Sequence, residues 1–200
     1  MRAIAPLALA ILCGMLCMSC NFLPSEPYRE VHSYDLGVPA SAGLPLSVQP
    51  FGTDSACKFK LLYRVGGNEM LIDEYNKWTQ PPGQMLTKYL RLAFRSESGE
   101  AGKLPPQLDC ELSGSILAFE ADLDAKKVNL GVHYTLSSMK LDSKPGDRTT
   151  IFSQPFSTNE PEAIAEAMTK AAAQLVESVK SDAKAIVASD KSEKTAAASK

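Results

Sequence analysis

Charge of one sign is missing from this 200-residue chain: 21 basic residues stand against 23 acidic ones, for a formal net charge of −2. A nucleic-acid binder needs a basic surface to displace counterions from phosphate, so that class is excluded as a reading. Histidine is scarce. His32 and His133 are the two imidazoles, and neither falls in a metal-ligand spacing, so no metal is expected. No Cys-x-x-Cys occurs, which leaves thiol redox catalysis without support. Gly66-Gly67 is followed by no Lys-Ser/Thr and no helix start, so it reads as a hairpin turn and not a phosphate loop. No apolar run reaches the roughly 20 residues that cross a bilayer as a helix. A domain of modest size remains, and its N-terminus is more informative than its average composition.

Arg2 supplies one positive charge, and Ala3 to Met18 is apolar apart from the breaks at Pro6 and Gly14. A short charged segment followed by a short apolar one is the layout of a secretory signal. The run closes in Leu16-Cys17-Met18-Ser19-Cys20, which resembles a bacterial lipobox, where a small residue precedes the cysteine that receives diacylglycerol. Ser19 is small, so Cys20 is the expected lipidation site; Leu12 and Leu16 are too bulky to serve Cys13 and Cys17 in that way. Cys17 at the −3 position departs from the usual leucine, and an ordinary signal peptide is the competing reading. More than one acyl chain is needed for stable anchoring, and a mature bacterial lipoprotein carries more than one. Asn21 after the lipidated residue, where retained lipoproteins tend to carry Asp, points to the outer membrane. Loss of Met1 to Ser19 removes Arg2 and takes the charge from −2 to −3.

The remaining cysteines, Cys57 and Cys110, sit alone in the body of the chain. An oxidising periplasm allows a Cys57–Cys110 disulfide across a long loop. Two small buried hydrophobes are the alternative.

Asn21 to Arg29, with Pro24 and Pro27, has no periodicity and reads as a tether. His32 to Gly37 and Leu44 to Gln49 are short strand candidates. Cys57, Phe59, Leu61, Tyr63 and Val65 alternate with Lys58, Lys60, Leu62 and Arg64, and Met70 to Tyr75 returns as the hairpin partner. Trp78 precedes Pro81-Pro82, after which Met85, Leu86, Tyr89, Leu90, Ala93 and Phe94 form one helical stripe. Leu108 to Leu123 is strand-like with a bulge expected at Gly114, and Val128 to Leu136 alternates cleanly. Thr149 to Phe156 completes a meander. Asn159 is the expected cap of a last helix with Ile164, Met168, Ala171, Leu175, Val179 and Ile186 on its stripe. The fold class expected is α+β: an antiparallel or mixed β-sheet with two amphipathic helices packed on one face.

Chemistry-bearing sets are absent from the body of the chain, and no catalytic residue and no cofactor is expected. His133 lies on the polar face of its strand. Asp122 and Asp124 suggest a calcium pair, but no further acidic spacing supports it and a solvated turn is the better reading. Lys58, Lys60 and Arg64 along one strand face could attract an anionic headgroup, although a charged strand that resists edge pairing is the commoner case. Tyr75, Trp78 and Tyr89 gather at the helix entry, as interface anchors or as a cap on the core.

Taken in order, several segments resemble the ABC-type transport auxiliary lipoproteins, the PqiC-like family that accompanies MCE-type lipid transporters. They are Tyr34-Asp35-Leu36, Leu46 to Phe51, Leu61-Leu62-Tyr63-Arg64, the hairpin strand ending at Tyr75, Trp78 before Pro81-Pro82, the helix from Met85, Leu108 to Phe119 around Leu112-Ser113-Gly114, and the last Ala-rich helix. The likeness runs from Val31 to Lys180, and the Tyr-Arg strand, hairpin, Trp and Pro succession is its most specific piece. The polar tail after Ser189 and the Cys57/Cys110 pair are not part of the pattern. The expected organisation is a signal peptide over residues 1–19, lipidated Cys20 and tether over 20–30, an auxiliary lipoprotein domain over 31–188 carrying the resemblance, and a disordered tail over 189–200. The resemblance implies a non-enzymatic role: docking a periplasm-spanning phospholipid transporter at the outer membrane. The partners would be an MCE-domain protein and an inner-membrane ABC transporter or permease, with self-association as a further option. Tyr63, Arg64, Tyr75 and Trp78 are the residues expected to form or support the docking surface. The alternative is an outer-membrane assembly lipoprotein acting on a barrel or a lipopolysaccharide translocon, and a secreted hydrolase or inhibitor is the third reading.

Overall fold

The computed structural model describes residues 28–53, 59–95, 110–138 and 146–198. The chain divides into two units, Met1–Glu30 and Val31–Lys200. Of the first, the described residues 28–30 are exposed and carry no strand or helix. Cys20 and Cys57, and with them the lipid site and the proposed disulfide, lie outside the described residues. Cys110 is buried at the start of its strand.

Among the described residues the second unit is one eight-stranded mixed sheet with two helices. In chain order the elements are β1 (His32–Tyr34), β2 (Ser47–Val48), β3 (Gly52–Thr53), β4 (Lys60–Val65), β5 (Glu69–Trp78), α1 (Pro82–Ala93), β6 (Cys110–Asp122), β7 (Lys127–Ser138), β8 (Gly146–Pro155) and α2 (Pro161–Ala198). The sheet order is β1-β5-β4-β6-β7-β8. β6 is its long central strand. β2, β3 and β4 lie in succession along one side of it, all parallel to it, and β7 runs antiparallel along the other. The α+β expectation holds, with the mixed sheet as its realised form.

Alternation explains the meander. Val128, Leu130, Val132, Tyr134 and Leu136 point to the core and are at most 1% exposed, while Asn129, His133 and Thr135 face the other way. α2 covers this region with Ile164, Met168, Ala171, Leu175 and Val179, and the Tyr134 hydroxyl donates to Asp182 at 2.7 Å. α1 buries Met85, Leu86, Tyr89, Leu90 and Ala93 in the same core cluster. Its Thr87 hydroxyl donates to the Gly83 carbonyl and accepts the Phe51 N–H, tying the helix to the segment that enters β3.

Four local expectations are corrected. The bulge in β6 falls between Ile116 and Ala118, not at Gly114, which pairs in register with Tyr134. Gly114 is required for space: a Cβ there would run into the His133 carbonyl and the Phe51 ring. The helix after Pro81, expected to run to about Arg95, stops at Ala93, with Phe94 as its cap. α2 begins at Pro161, and the Glu160 carbonyl takes the first helical N–H, from Ile164, so Glu160 and not Asn159 occupies the cap position. Finally, α2 continues through residue 189 to Ala198 where a disordered tail was expected. Loss of the apolar stripe does not end a helix rich in Ala, Lys and Glu, because those residues carry high intrinsic propensity.

Candidate functional site

The residues singled out by sequence gather where β1, β5 and β4 meet β6. Arg64 sits on the face of the sheet away from the helices. Its Nε and Nη2 donate to the two Glu120 carboxylate oxygens at 2.6 and 2.8 Å, and Nη1 donates to the Gly67 carbonyl at 2.9 Å. Glu120 is 8% exposed, so this two-pronged contact satisfies an otherwise costly buried carboxylate. The hydrogen bonds from Arg64 to Glu120, helped by their opposite charge, raise the guanidinium's pKa further. Gly66 and Gly67 turn the hairpin with positive φ, and the Gly66 N–H donates to Asp124 at 2.6 Å. Asp122 accepts the Ala125 N–H at 2.8 Å. Asp122 therefore organises the β6–β7 turn, and Asp124 ties that turn to the β4–β5 turn. Among the described residues no group of His, Cys, Asp or Glu is arranged to hold a metal ion.

Tyr63 points to the other face. Its hydroxyl donates to Asp73 at 2.7 Å, and burial, followed by that bond, pushes its pKa well above the usual phenol value. Asp73 is the organiser of an irregularity in β5. Lys60 pairs with Lys77 but Leu62 pairs with Ile72, so β5 carries extra residues across a short step of β4. The Asp73 carboxylate collects the donors this leaves: the N–H groups of Tyr75 and Asn76 and the side-chain amide of Asn76, at 2.8–3.0 Å. Burial opposes its charge, but the bonds from Tyr63, Asn76 and Tyr75 outweigh it and hold the carboxyl below the usual range. The Tyr34 hydroxyl lies 3.3 Å from both Asn76 Oδ1 and Glu162 Oε1, extending the network from β4 across β5 and β1 to the first turn of α2.

Trp78 is only 3% exposed and packs edge-on against Phe119, with ring centroids 5.1 Å apart. It can support a surface from below but cannot form one. Tyr75 is exposed. The structure thus joins Tyr63 and Tyr75 through Asp73, sets Arg64 on the opposite face, and buries Trp78 beneath them. Three participants carried no motif: Asp73, Asn76 and Glu120. A carboxylate inside the apolar run Phe119-Glu120-Ala121 was the available signal for a buried pair, and Asp73 three residues before Asn76 for a break in the strand.

Beside this network β5 carries exposed apolar side chains: Met70, Leu71, Ile72 and Tyr75 are each more than a third exposed. Register puts Met70 opposite Arg64 and Ile72 opposite Leu62 on the helix-free face, and Leu71 opposite Tyr63 on the other. The sequence reading of this strand as a hairpin partner did not separate it from other strands. A shallow groove of about 140 Å³ between α1 and the segment after β1 is lined by Leu36, Val38, Met85 and Tyr89 and bridged by the Lys88–Asp35 ion pair at 3.0 Å. It is far smaller than the roughly 300 Å³ of an ordinary ligand site.

The family model described as ABC-type transport auxiliary lipoprotein component matches residues 54–180. The chain belongs to that family. Membership makes it a lipoprotein-type component of the cell envelope that serves a transport system. Crystal structures share its fold, and two of them serve as examples. One is a Xanthomonas campestris protein, 20% identical, with a TM-score of 0.62, covering 82% of this chain and 99% of that one. The other is an uncharacterised protein, 13% identical, also with a TM-score of 0.62, covering 77% of this chain and 99% of its own. No curated protein matches the chain. The family's matched span covers Tyr63, Arg64, Tyr75 and Trp78 and their partners Asp73 and Glu120, but begins after β1, so Tyr34 lies outside it.

Proposed function

We infer that this auxiliary lipoprotein is a non-enzymatic docking component, held at the periplasmic face of the outer membrane by acyl chains on Cys20, that receives an MCE-type phospholipid transport assembly fed by an inner-membrane ABC transporter or permease. The observation that carries the reading is directional. β1 runs parallel to β5, with His32 opposite Asn76 and Tyr34 opposite Trp78. The chain therefore enters the sheet from the end that carries the β4–β5 turn and the exposed Met70-Leu71-Ile72 strand. The entry into β1 at Val31 and the exposed apolar strand thus lie toward the same end of the sheet.

Moving an acyl chain through water costs about 0.8 kcal/mol for each CH₂ left exposed, so a lipid conduit must meet its target membrane without a gap. A domain tethered to that membrane presents its docking surface at high effective concentration. The shifted pKa values of Tyr63, Arg64 and Asp73 arise in ties that rigidify β4 and β5, which suits a binding scaffold.

The test is site-directed photo-crosslinking in intact cells, with a photoreactive residue in place of Tyr75. The expected result is an adduct to an MCE-domain protein in the outer-membrane fraction, abolished when Cys20→Ser prevents anchoring. An adduct to a barrel assembly or lipopolysaccharide translocon subunit instead would overturn the reading, as would unchanged membrane fractionation of Cys20→Ser.

A further inference from the structure

We propose that the outer face of α1, with Val38 beside it, is a membrane-docking surface that lies on anionic phospholipid headgroups. The proposal goes beyond the receiving role above and rests on the anchored reading only for proximity to a membrane. Charge is sorted unevenly between the two helices. α2 pairs acids with bases along its length, as in Glu166–Lys170 and Glu177–Lys180. α1 contains no acidic residue, and its exposed positions are Gln84, Lys88, Arg91 and Leu92, with exposed Arg95 just beyond the cap. Positive charge is thus concentrated on one helix of a chain whose formal net charge is −2.

The cations are only lightly committed within the fold. Arg91 donates from Nε to the Val48 carbonyl at 3.0 Å, which fixes its stem and leaves the two terminal nitrogens without a partner among the described residues. Lys88 holds Asp35 at 3.0 Å, but both side chains are at least a third exposed, so this pair is weak and open to exchange. Lys88 also stands on a crest between two grooves. On one side a groove of about 280 Å³ is bordered by Pro50, Phe51, Gln84 and Arg91. On the other the groove is apolar, and its rim carries Val38 at 91% exposure and Leu92 at 39%. Cations beside exposed apolar groups make an interfacial surface: the bases meet phosphates while the apolar side chains enter the acyl boundary. A free phosphate would use the cations and leave Val38 and Leu92 in water. Proximity favours the membrane over an acidic protein, because Val31 follows Cys20 by 11 residues, a reach of roughly 40 Å when fully extended.

The experiment uses the full lipidated chain in nanodiscs, with a fluorescent amino acid in place of Val38 or of the exposed Ile151 on β8, and reads quenching by lipids brominated on their acyl chains. Discs of phosphatidylethanolamine alone are compared with discs that also hold phosphatidylglycerol. The label at position 38 should be quenched in the phosphatidylglycerol discs and released by high salt, and the label at position 151 should stay bright. Lys88→Gln with Arg91→Gln should lower the ratio of docked to free domain roughly 25-fold, about fivefold for each cation removed, at an unchanged urea midpoint. Arg91→Lys keeps the charge and should keep the quenching. Equal quenching at position 38 in both discs, quenching that survives the double substitution, or quenching at position 151 in place of 38 would overturn the proposal. A label at position 38 that stays bright in every disc would overturn it too. A failed crosslink from position 75 to an MCE-domain protein would leave the quenching result standing, because the label reports on α1 and lipid alone.

Discussion

The two wings of the sheet differ in how their residues are used. In the β6–β7–β8 wing, β7 pairs in continuous register with β8 from Lys127 to Leu136, and its inward side chains are covered by α2. The outward side chains of β7 are polar and tied to β8, as in Ser153 to Asn129 at 2.8 Å and His133 to Thr149 at 2.9 Å, and the exposed apolar side chains here, Leu117 and Ile151, stand singly. In the β1–β5–β4 wing, pairing is short and interrupted, polar ties replace helix cover, and large apolar side chains remain exposed. The first arrangement spends its apolar residues on stability. The second is held rigid at its root by Trp78 and along its length by Asp73 and Arg64, so that apolar groups can stay available at the edge.

This contrast can be tested in order of effect. Trp78→Ala should cost about 3–5 kcal/mol in urea unfolding, because it empties a buried site against Phe119. A loss below about 1 kcal/mol would mean the arm is not anchored in the common core. Gly114→Ala should cost about 1–3 kcal/mol through overlap with the His133 carbonyl and Phe51. A neutral result would show that β6 can shift away from the β3 segment.

Asp73 should give the arm its own acid sensitivity. Its folded pKa is depressed, so its contribution is fully present above the ordinary carboxylate value and drains away as the pH falls below about 4, through the folded value. Asp73→Asn should flatten stability in that acid range, and an unchanged acid profile would remove Asp73 from its organising role. The smallest expected effect is Ile72→Lys, within about 0.5 kcal/mol of the parent in stability. If it destabilised as strongly as Trp78→Ala, the exposed edge would belong to the core and the distinction between the wings would fail.

Much of this organisation was readable beforehand for a local reason. Alternation at Val128 to Leu136 and the stripe from Met85 to Phe94 each depend on the period of one element, and period is written in consecutive residues. Gly66-Gly67 announced its turn in the same way. The site was less legible. Tyr63, Arg64 and Tyr75 stood out as residue types, but their partners Asp73 and Glu120 carried no motif, and Trp78 was open to both surface and interior, with a cap on the core the favoured reading.

Before any coordinates, charge balance pointed away from nucleic acid, and the strand alternation and helical stripes pointed to an α+β domain. Hydropathy and turn chemistry act over a few residues, so a linear reading reaches them. The parallel joints of β6 with β2, β3 and β4, the Arg64–Glu120 pair across 56 positions, and the exposure of Met70 to Ile72 were settled only by the assembled fold. Each depends on which distant segment fills the neighbouring space, and that is a property of packing that no local period encodes.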